Sequence, residues 1–461
     1  MVTVPIIPRE IFRAYDIRGI VDQTLTVEGV EQLGRALGTR ILQAGERKIV
    51  VGRDGRLSGE RLASALIQGL LATGIDVVDM GGVPTPLLYF ATHHLNIPSG
   101  VMITGSHNPA QYNGFKIVIG GKALHGDQIM DLYQTILDQD FLQGQGVCTQ
   151  QVILSDYIQT LCAHIVLKSP LKIVVDAGNG IAGLVLSALY EALGCAVIPL
   201  FCEVDGHFPN HHPDPGQPEN MRDLIKTVRE HKAHLGLAFD GDGDRLGVVD
   251  NEGRIIWPDR LLMLFSKAIL CESPQANIIF DVKCTRHLGP FIHERGGKPW
   301  MWKTGHSLIK SKMREIDAHL AGEMSGHFFF KAWYGFDDAL YAGARLLKMV
   351  AEAKPLSTAA LFRALPDSLS TPEIALGIAE QDKFSVMKKL VALAHFQDAT
   401  LNTIDGLRVD FEDGFGLVRC SNTGPNLIVR FEGDTPQALV RIQGAFAQLL
   451  RAVKPEWALP F

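Results

Sequence analysis

Three stretches of this chain follow one plan, and that repetition limits the fold more than any other feature. RKIVVGRD (47–54), LKIVVDAG (171–178) and ANIIFDVK (276–283) are short β-branched runs ending on charge or glycine. Each leads into a helical stretch, such as SGERLASALIQGLLATG (58–74) or AGLVLSALYEALG (182–194), and then into a second apolar run, IDVVDMG, CAVIPLF or KPWMWKTG. Alternation at these lengths specifies βαβ units, because parallel strands need a crossover long enough to hold a helix. Further on, each copy reaches another apolar run and a polar loop: GVMITGSHNP (100–109), LGLAFDGDGDR (235–245) and AHLAGEMSGH (318–327). Such loops leave the C-terminal ends of strands, where open α/β sheets bind ligands. Three α/β domains around a shared cleft are expected.

With 461 residues there is room for a fourth unit. After the Pro/Ser-rich stretch Leu365–Pro372 the composition changes to a helix (EQDKFSVMKKLVALAH), hairpin-like strands (TLNTIDGLRVDFEDGFGLVRCS) and another helix (PQALVRIQGAFAQLLRAV). That is an α+β domain. The expected division is 1–152, 153–253, 254–366 and 367–461, with Pro258 opening a helix just after the second boundary. A hinge near 365–372 is expected from the same linker.

A net charge of −6 argues against a nucleic-acid partner, whose binding face would be basic. No apolar run approaches the length of a membrane span, and Arg9, Glu10 and Arg13 fall where a signal peptide would need its apolar core. A cytoplasmic location is expected. The seven cysteines are odd in number, scattered and without a C-x-x-C pair, so neither a disulfide framework nor a zinc site is indicated.

The chemistry resides in the loops. Val-Met-Ile before Thr104-Gly105 predicts a strand end, and Asn108-Pro109 a turn, so Ser106 belongs on a tight bend. In DGDGDR, Asp240, Asp242 and Asp244 alternate with glycines, a pattern that aims three hard oxygens at one cation of the Mg²⁺, Ca²⁺ or Mn²⁺ type. An EF-hand is excluded, since Arg245 stands where its glycine belongs and Asn251 where its glutamate belongs. Three aspartates leave such a cation short of ligands, and a phosphorylated Ser106 would supply another. A Ser-His-Asp hydrolase is the rival for Ser106. Adjacent Ser106 and His107 are expected to point in different directions, and no G-x-S-x-G elbow is present.

Cationic and hydroxyl groups suited to phosphate recur in the other loops. Arg18 is read beside a glycine turn in YDIRG, Lys116 on a strand in YNGFKIV, Arg245 against the metal loop, and Lys283 at the end of a strand. Arg419-Cys-Ser-Asn-Thr-Gly-Pro425 combines a guanidinium, hydroxyls and a turn with free backbone N–H groups. In GEMSGH, Glu323 and Ser325 are expected on one side of an extended segment, spaced to bond vicinal sugar hydroxyls, while KTGH offers a glycine-flanked His306. DAGNGIAG (176–183) carries G-x-G-x-x-G and so suggests a dinucleotide site. Pro199 is read as interrupting the following strand before Glu203, which favours a plain strand-to-helix turn over a nicotinamide enzyme. The histidine pairs 93–94 and 211–212 are read as loop residues.

TGSHNP, DGDGDR, GEMSGH and RCSNTGP, in that order, strongly resemble the α-D-phosphohexomutase superfamily, above all its bacterial phosphomannomutase/phosphoglucomutase branch. The resemblance spans nearly the whole chain, including YDIRG and KTGHSLIK. It implies α/β modules with mixed sheets and a C-terminal domain like the TATA-box-binding protein. It implies that Ser106 is a phosphoserine and that, with Asp240, Asp242 and Asp244, it binds Mg²⁺. Arg18, Lys116, Arg245, His107 and His306 would serve the transfer itself. Tyr15, Lys283, Thr304, Gly305, Glu323, Ser325 and His327 would contact substrate, and Arg419, Ser421, Asn422 and Thr423 would hold the phosphate that does not react. Gly424 departs from the Glu or Thr often found before the proline. The implied activity interconverts hexose 1- and 6-phosphates of glucose and mannose through glucose or mannose 1,6-bisphosphate, in a monomer whose partners are small sugar phosphates. A metal-dependent phosphatase would use the same Ser106 and aspartates but release phosphate.

Overall fold

The structure is a computed structural model that describes residues 7–353, 355–422 and 424–461. In each of the first three modules the repeated β-branched run becomes the middle of three parallel strands. Lys48–Arg53 lies between Asp76–Gly82 and Gly100–Ile103. Lys172–Asp176 lies between Ala196–Leu200 and Leu235–Phe239. Asn277–Asp281 lies between Lys298–Trp302 and Leu320–Gly322. A fourth strand then turns back antiparallel on the third: Tyr112–Ile119, Leu246–Asp250 and Phe328–Phe330 respectively. The sheets are therefore mixed. The reversal is what places the serine loop, the aspartate loop and the GEMSGH loop at equivalent positions, each between the third and fourth strands.

The first sheet is extended by Ile17–Ile20, which pairs antiparallel with Tyr112–Ile119. Arg18 and Gly19 thus lie on a strand and not beside a turn. Pro199 sits inside the strand Ala196–Leu200, which it was expected to interrupt. This is the edge strand of its sheet, where a missing N–H costs no ladder bond. His93 and His94 close the helix Thr85–His94 and are not in a loop.

The first three modules share apolar packing. One buried cluster runs through Val50 and Phe90 of the first, Tyr157, Leu186 and Leu237 of the second, and Phe265 and Trp333 of the third. Asp338 pins it from inside, accepting from the Tyr157 hydroxyl at 2.7 Å, the Trp333 indole at 2.7 Å and the Tyr341 amide at 2.9 Å. Burial pushes its carboxyl up to about 6 against the pull of those donors.

The C-terminal unit is a six-stranded antiparallel sheet backed by the helices Lys383–Leu393 and Pro436–Val453. Its core, around Leu390, Leu407, Val429, Ile442 and Phe446, is separate. It meets the third module through a small apolar junction of Val282 with Phe415 and Leu417. Polar clasps flank that junction: the buried Arg408 donates to the carbonyls of Val282 and Cys284, both at 2.7 Å. Among the described residues, no helix is long and apolar enough to cross a membrane.

Candidate active site

The loops of all four units converge on one cleft of about 370 Å³. Tyr15, Arg18, Ser106, His107, Lys116, Arg245, Lys283, Thr304, Gly305, His306, Glu323, Ser325, His327, Arg419, Ser421 and Asn422 line it. Thr423 lies outside the described residues. Asp240, Asp242 and Asp244 lie just beneath, with no exposed surface.

Ser106 occupies the bend its flanking residues predict, with φ +48. Its Oγ donates to Asp240 Oδ2 at 2.9 Å and lies 3.1 Å from His107 Nδ1. The expectation that the two side chains diverge is therefore wrong, because the left-handed turn folds the imidazole back over the hydroxyl. A hydrolase triad is still incomplete: no carboxylate pairs with His107 among the described residues. Burial and the nearby Arg245 and Arg18 hold its imidazole well below the usual histidine range, so it stays neutral.

The aspartate loop converges as its alternation suggests: one oxygen from each of Asp240, Asp242 and Asp244 falls within 4.8 Å of the others. Asp240 Oδ1 accepts the amides of Asp244 and Arg245, both at 3.1 Å, so the Gly-rich turn wraps its own first carboxylate. Thr85 Oγ1 donates to Asp242 Oδ2 at 2.5 Å. Lys116 Nζ donates to Asp242 Oδ2 at 2.7 Å and to Asp244 Oδ2. Burial depresses an ammonium, yet these two carboxylates raise Lys116 well above its ordinary value, and it remains charged. Burial and the like charges of Asp242 and Asp244 push Asp240 well above the carboxylate range. Lys116 and Arg245, whose Nε lies 3.9 Å from Asp240 Oδ2, set two positive charges against three buried carboxylates, and Asp242 Oδ1 and Asp244 Oδ1 have no hydrogen-bond partner. Unpartnered hard oxygens and surplus negative charge are what a divalent oxygen-loving cation relieves. The residues fit Mg²⁺.

Cations ring this cluster. Arg18 donates to Asp16 Oδ2 at 2.6 Å and to Asn108 Oδ1 of the serine loop. Arg245 Nε donates to His327 Nε2 at 3.1 Å, while His327 Nδ1 lies 3.2 Å from Asp337 Oδ2. His306 is not a loop residue but the first residue of the helix His306–Glu315, entered through Gly305 at φ +137. A Cβ on Gly305 would come within 3.0 Å of the Tyr15 ring, so Gly is needed for space as well as conformation. Both ring nitrogens of His306 are buried without a hydrogen-bond partner. Burial and Lys310 keep that ring neutral.

Across the cleft, Glu323 and Ser325 stand in the tight turn between Leu320–Gly322 and Phe328–Phe330, not on an extended segment. Gly326 N closes the turn onto Glu323 O at 3.0 Å, because the antiparallel return needs a reversal there. Glu323 Oε1 accepts from Gly305 N at 2.6 Å, joining the GEMSGH and KTGH loops. Lys283 falls two residues past its strand, and its Nζ donates to Glu373 Oε1 at 2.6 Å. Arg419 Nε donates to Asp405 Oδ2 at 2.9 Å, leaving its NH2 buried and unpartnered. Asn422 Nδ2 donates to Thr304 O at 3.3 Å across the junction of the third and fourth units.

Sequence reasoning missed several supporting groups: Asp54, Arg56, Thr85, Asp337, Glu373 and His212. His212 Nε2 bonds the carbonyl of His107, and its neighbour His211 bonds Asp176 Oδ2 at 3.0 Å. These contacts reach as far as 157 residues along the chain. Only the charge-rich GRDGR (52–56) at a strand's C-terminal end carried a local signal.

A cleft built this way, with a hydroxyl and carboxylates shut from water at one end and a guanidinium with one unpartnered nitrogen at the other, suits a phosphotransfer enzyme. Comparisons with known proteins carry this further. Residues 9–143, 155–253 and 257–366 match the phosphoglucomutase/phosphomannomutase alpha/beta/alpha domains I, II and III, and residues 373–449 match the C-terminal domain. The chain is 54% identical over 458 residues to a phosphomannomutase/phosphoglucomutase of Pseudomonas aeruginosa, covering 99% of each. It is 50% identical over 451 residues to a phosphoglucomutase of Neisseria gonorrhoeae, covering 97% of this chain and 98% of the relative. Among solved structures, a phosphoglucomutase/phosphomannomutase family protein from Burkholderia thailandensis superposes with a TM-score of 0.93 at 49% identity, covering 99% of this chain and all of that one. The chain belongs to the phosphoglucomutase/phosphomannomutase family, and is a phosphohexomutase.

Proposed function

We propose that the protein interconverts the 1- and 6-phosphates of glucose and mannose, with Ser106 as the phosphoryl carrier and a hexose 1,6-bisphosphate as the intermediate. The observation that carries this reading is the Ser106 hydroxyl, 2% exposed, donating to Asp240 Oδ2 beside two further convergent carboxylates. A phosphoryl group on Oγ would add acceptor oxygens and charge at that point. Asp240, Asp242 and Asp244, with one such oxygen, would hold Mg²⁺, which offsets the charge of the transferring group.

In the forward step the phosphoserine P–O bond breaks and a new P–O bond forms to the free hydroxyl of the bound hexose phosphate. That hydroxyl gives up its proton to the neutral, unpartnered imidazole of His306, and the serine oxygen is left to be reprotonated or rephosphorylated. Lys116, Arg18 and Arg245 surround the transfer point with fixed positive charge, which stabilises oxygens already in place and needs no reorganisation. The unpartnered Arg419 NH2, with the Ser421 and Asn422 turn, receives the phosphate that does not react. Tyr15, Lys283, Thr304 and His327 complete the wall around the sugar.

The bisphosphate then turns end over end and returns its other phosphoryl group to Ser106. O3 and O4 nearly exchange places in that rotation. Glu323 and Ser325, in one turn, can therefore serve both orientations while leaving C2 unread, which accommodates glucose and mannose alike. The units 1–152, 153–253, 254–366 and 367–461 all contribute to the cleft wall, so the monomer is a sufficient catalytic unit. A small-molecule sugar phosphate is the only partner the cleft needs.

The test is a coupled assay from glucose 1-phosphate and mannose 1-phosphate with Mg²⁺ and trace glucose 1,6-bisphosphate, on wild type and Ser106→Ala, with free phosphate followed in parallel. Isomerisation of both sugars that collapses in Ser106→Ala is expected. Phosphate release without isomerisation would replace the mutase reading with that of a phosphatase.

A further inference from the structure

The group that holds the serine loop in shape is Arg56, a residue with no surface on the cleft. Its side chain is 1% exposed, at the turn between the strand Lys48–Arg53 and the helix Gly59–Leu71. Its NH2 donates to the carbonyls of Ser106 at 2.8 Å and Asn108 at 2.5 Å. Its NH1 donates to those of Pro109 at 2.7 Å and Tyr112 at 2.9 Å. One guanidinium thus gathers four carbonyls from the loop that carries the nucleophile, and the loop winds around it as a ring.

Asp54 fixes the guanidinium and the loop's entry together. Its Oδ2 lies 3.2 Å from Arg56 Nε and accepts from Thr104 Oγ1 at 2.8 Å and from Gly105 N at 3.1 Å. Thr104 Oγ1 in turn accepts from Ser106 N at 2.8 Å. The absence of a side chain at 105 follows from the same packing. A Cβ there would stand 2.4 Å from the guanidinium carbon. Phe208, from the second module, covers the guanidinium with its ring centroid 5.4 Å away.

The backbone these bonds hold is not one a serine adopts freely. A non-glycine residue in the left-handed region is strained and persists only where its surroundings overdetermine it. Here that conformation turns Oγ toward Asp240 Oδ2. We propose that Arg56 is the positioning residue for the phosphoryl carrier: its planar fork fixes the left-handed bend at Ser106 and so aims Oγ along the line of transfer. The inference rests on Ser106 being that carrier. Arg56 touches neither substrate nor reacting atoms and acts only through the loop. Charge alone does not suffice, because a lysine ammonium has three donors on one nitrogen and cannot span four carbonyls from Ser106 to Tyr112.

Arg56→Lys separates this role from a structural one. The variant keeps the charge and most of the stem. It should fold, show KM for glucose 1-phosphate within about twofold of wild type, and lose kcat on the order of 10²-fold, the cost of a misplaced reacting group. Intact mass after exposure to glucose 1,6-bisphosphate should show phosphoryl transfer to the protein slowed to match. Wild-type kcat in folded Arg56→Lys, or a defect in KM alone, would overturn the inference. Should Arg56→Lys fail to fold, Gly105→Ala asks the same question with Arg56 intact, since its methyl displaces the guanidinium. The inference expects a fall in kcat at unchanged circular dichroism, and normal turnover would overturn it. Ser106→Ala is run alongside. If that variant still takes up phosphate and turns over, the carrier assignment itself falls, which is a different result from normal turnover in Arg56→Lys.

Discussion

The two ends of the cleft are built on opposite principles. At the end where Ser106 is proposed to react, it and the three aspartates are locked by contacts the protein makes to itself: Arg56 beneath the loop, Thr85 and Lys116 on the carboxylates, Asp240 on the hydroxyl. At the recognition end the side chains are held by partners that a substrate can replace or supplement. Lys283 bonds Glu373 just past the interdomain linker, Arg419 keeps one nitrogen unpartnered, and Asn422 donates to Thr304 O of the third unit at 3.3 Å. The packing follows suit. One apolar cluster crosses the first three modules, each of which also has a cluster of its own, while the fourth unit's core stays separate and touches them through a small junction. Geometry that must suit a transition state is preorganised, and geometry that must admit, turn and release a ligand is left with exchangeable bonds.

This contrast can be broken at either end. The largest effect is expected at the aspartate loop: Asp242→Asn, or chelation of Mg²⁺, should cut kcat about 10³-fold or more, and only the chelated wild type should recover fully on adding Mg²⁺. Steady-state kinetics with and without chelator decide it. At the other end Arg419→Ala should act mainly on binding, raising KM about 30–100-fold for loss of about 2–3 kcal/mol of charged hydrogen bonding. A kcat effect larger than the KM effect would erase the distinction between the ends.

Smaller and opposite in sign is the change expected at Glu373. This carboxylate faces Lys283, Arg430 and Arg419, which together hold it below its ordinary value although burial alone would raise it. It occupies cations that a sugar phosphate also needs. Glu373→Gln should therefore lower KM by about threefold to fivefold, roughly the worth of one partly exposed ion pair. A raised KM would show instead that Glu373 itself grips the sugar.

The smallest effect concerns pH and the support of the reacting end. Burial lowers the His211 imidazole, but its bond to Asp176 outweighs this, so the folded value lies above the ordinary 6.5. A raised histidine contributes stability fully below its unfolded value and loses it as pH climbs through the folded one. Urea midpoints should fall slightly from pH 6 to 8 in wild type, and that slope should flatten in His211→Gln.

Much of this was legible in the sequence. Periodicity and spacing specify three like modules, because a β-branched run followed by a helical period has few ways to bury its apolar faces. The alternation in DGDGDR specifies convergent carboxylates, because a five-residue turn is too short to scatter them. Local order fails where a return strand or a distant partner intervenes. GEMSGH reads as extended but is a reversal, since Phe328–Phe330 comes back antiparallel. Arg18-Gly19 of YDIRG reads as a turn but lies on the strand Ile17–Ile20, since Tyr112–Ile119 offers it a free edge. His107 turns back over Ser106 only because the loop bends left-handed around Arg56. The residue types, their order and the loops they occupy were fixed by the chain itself. Which cation neutralises which carboxylate, and which guanidinium shapes the serine loop, were decided by folding, because pairs such as Arg56–Ser106 and Lys116–Asp242, 50 and 126 residues apart, have no periodicity to announce them.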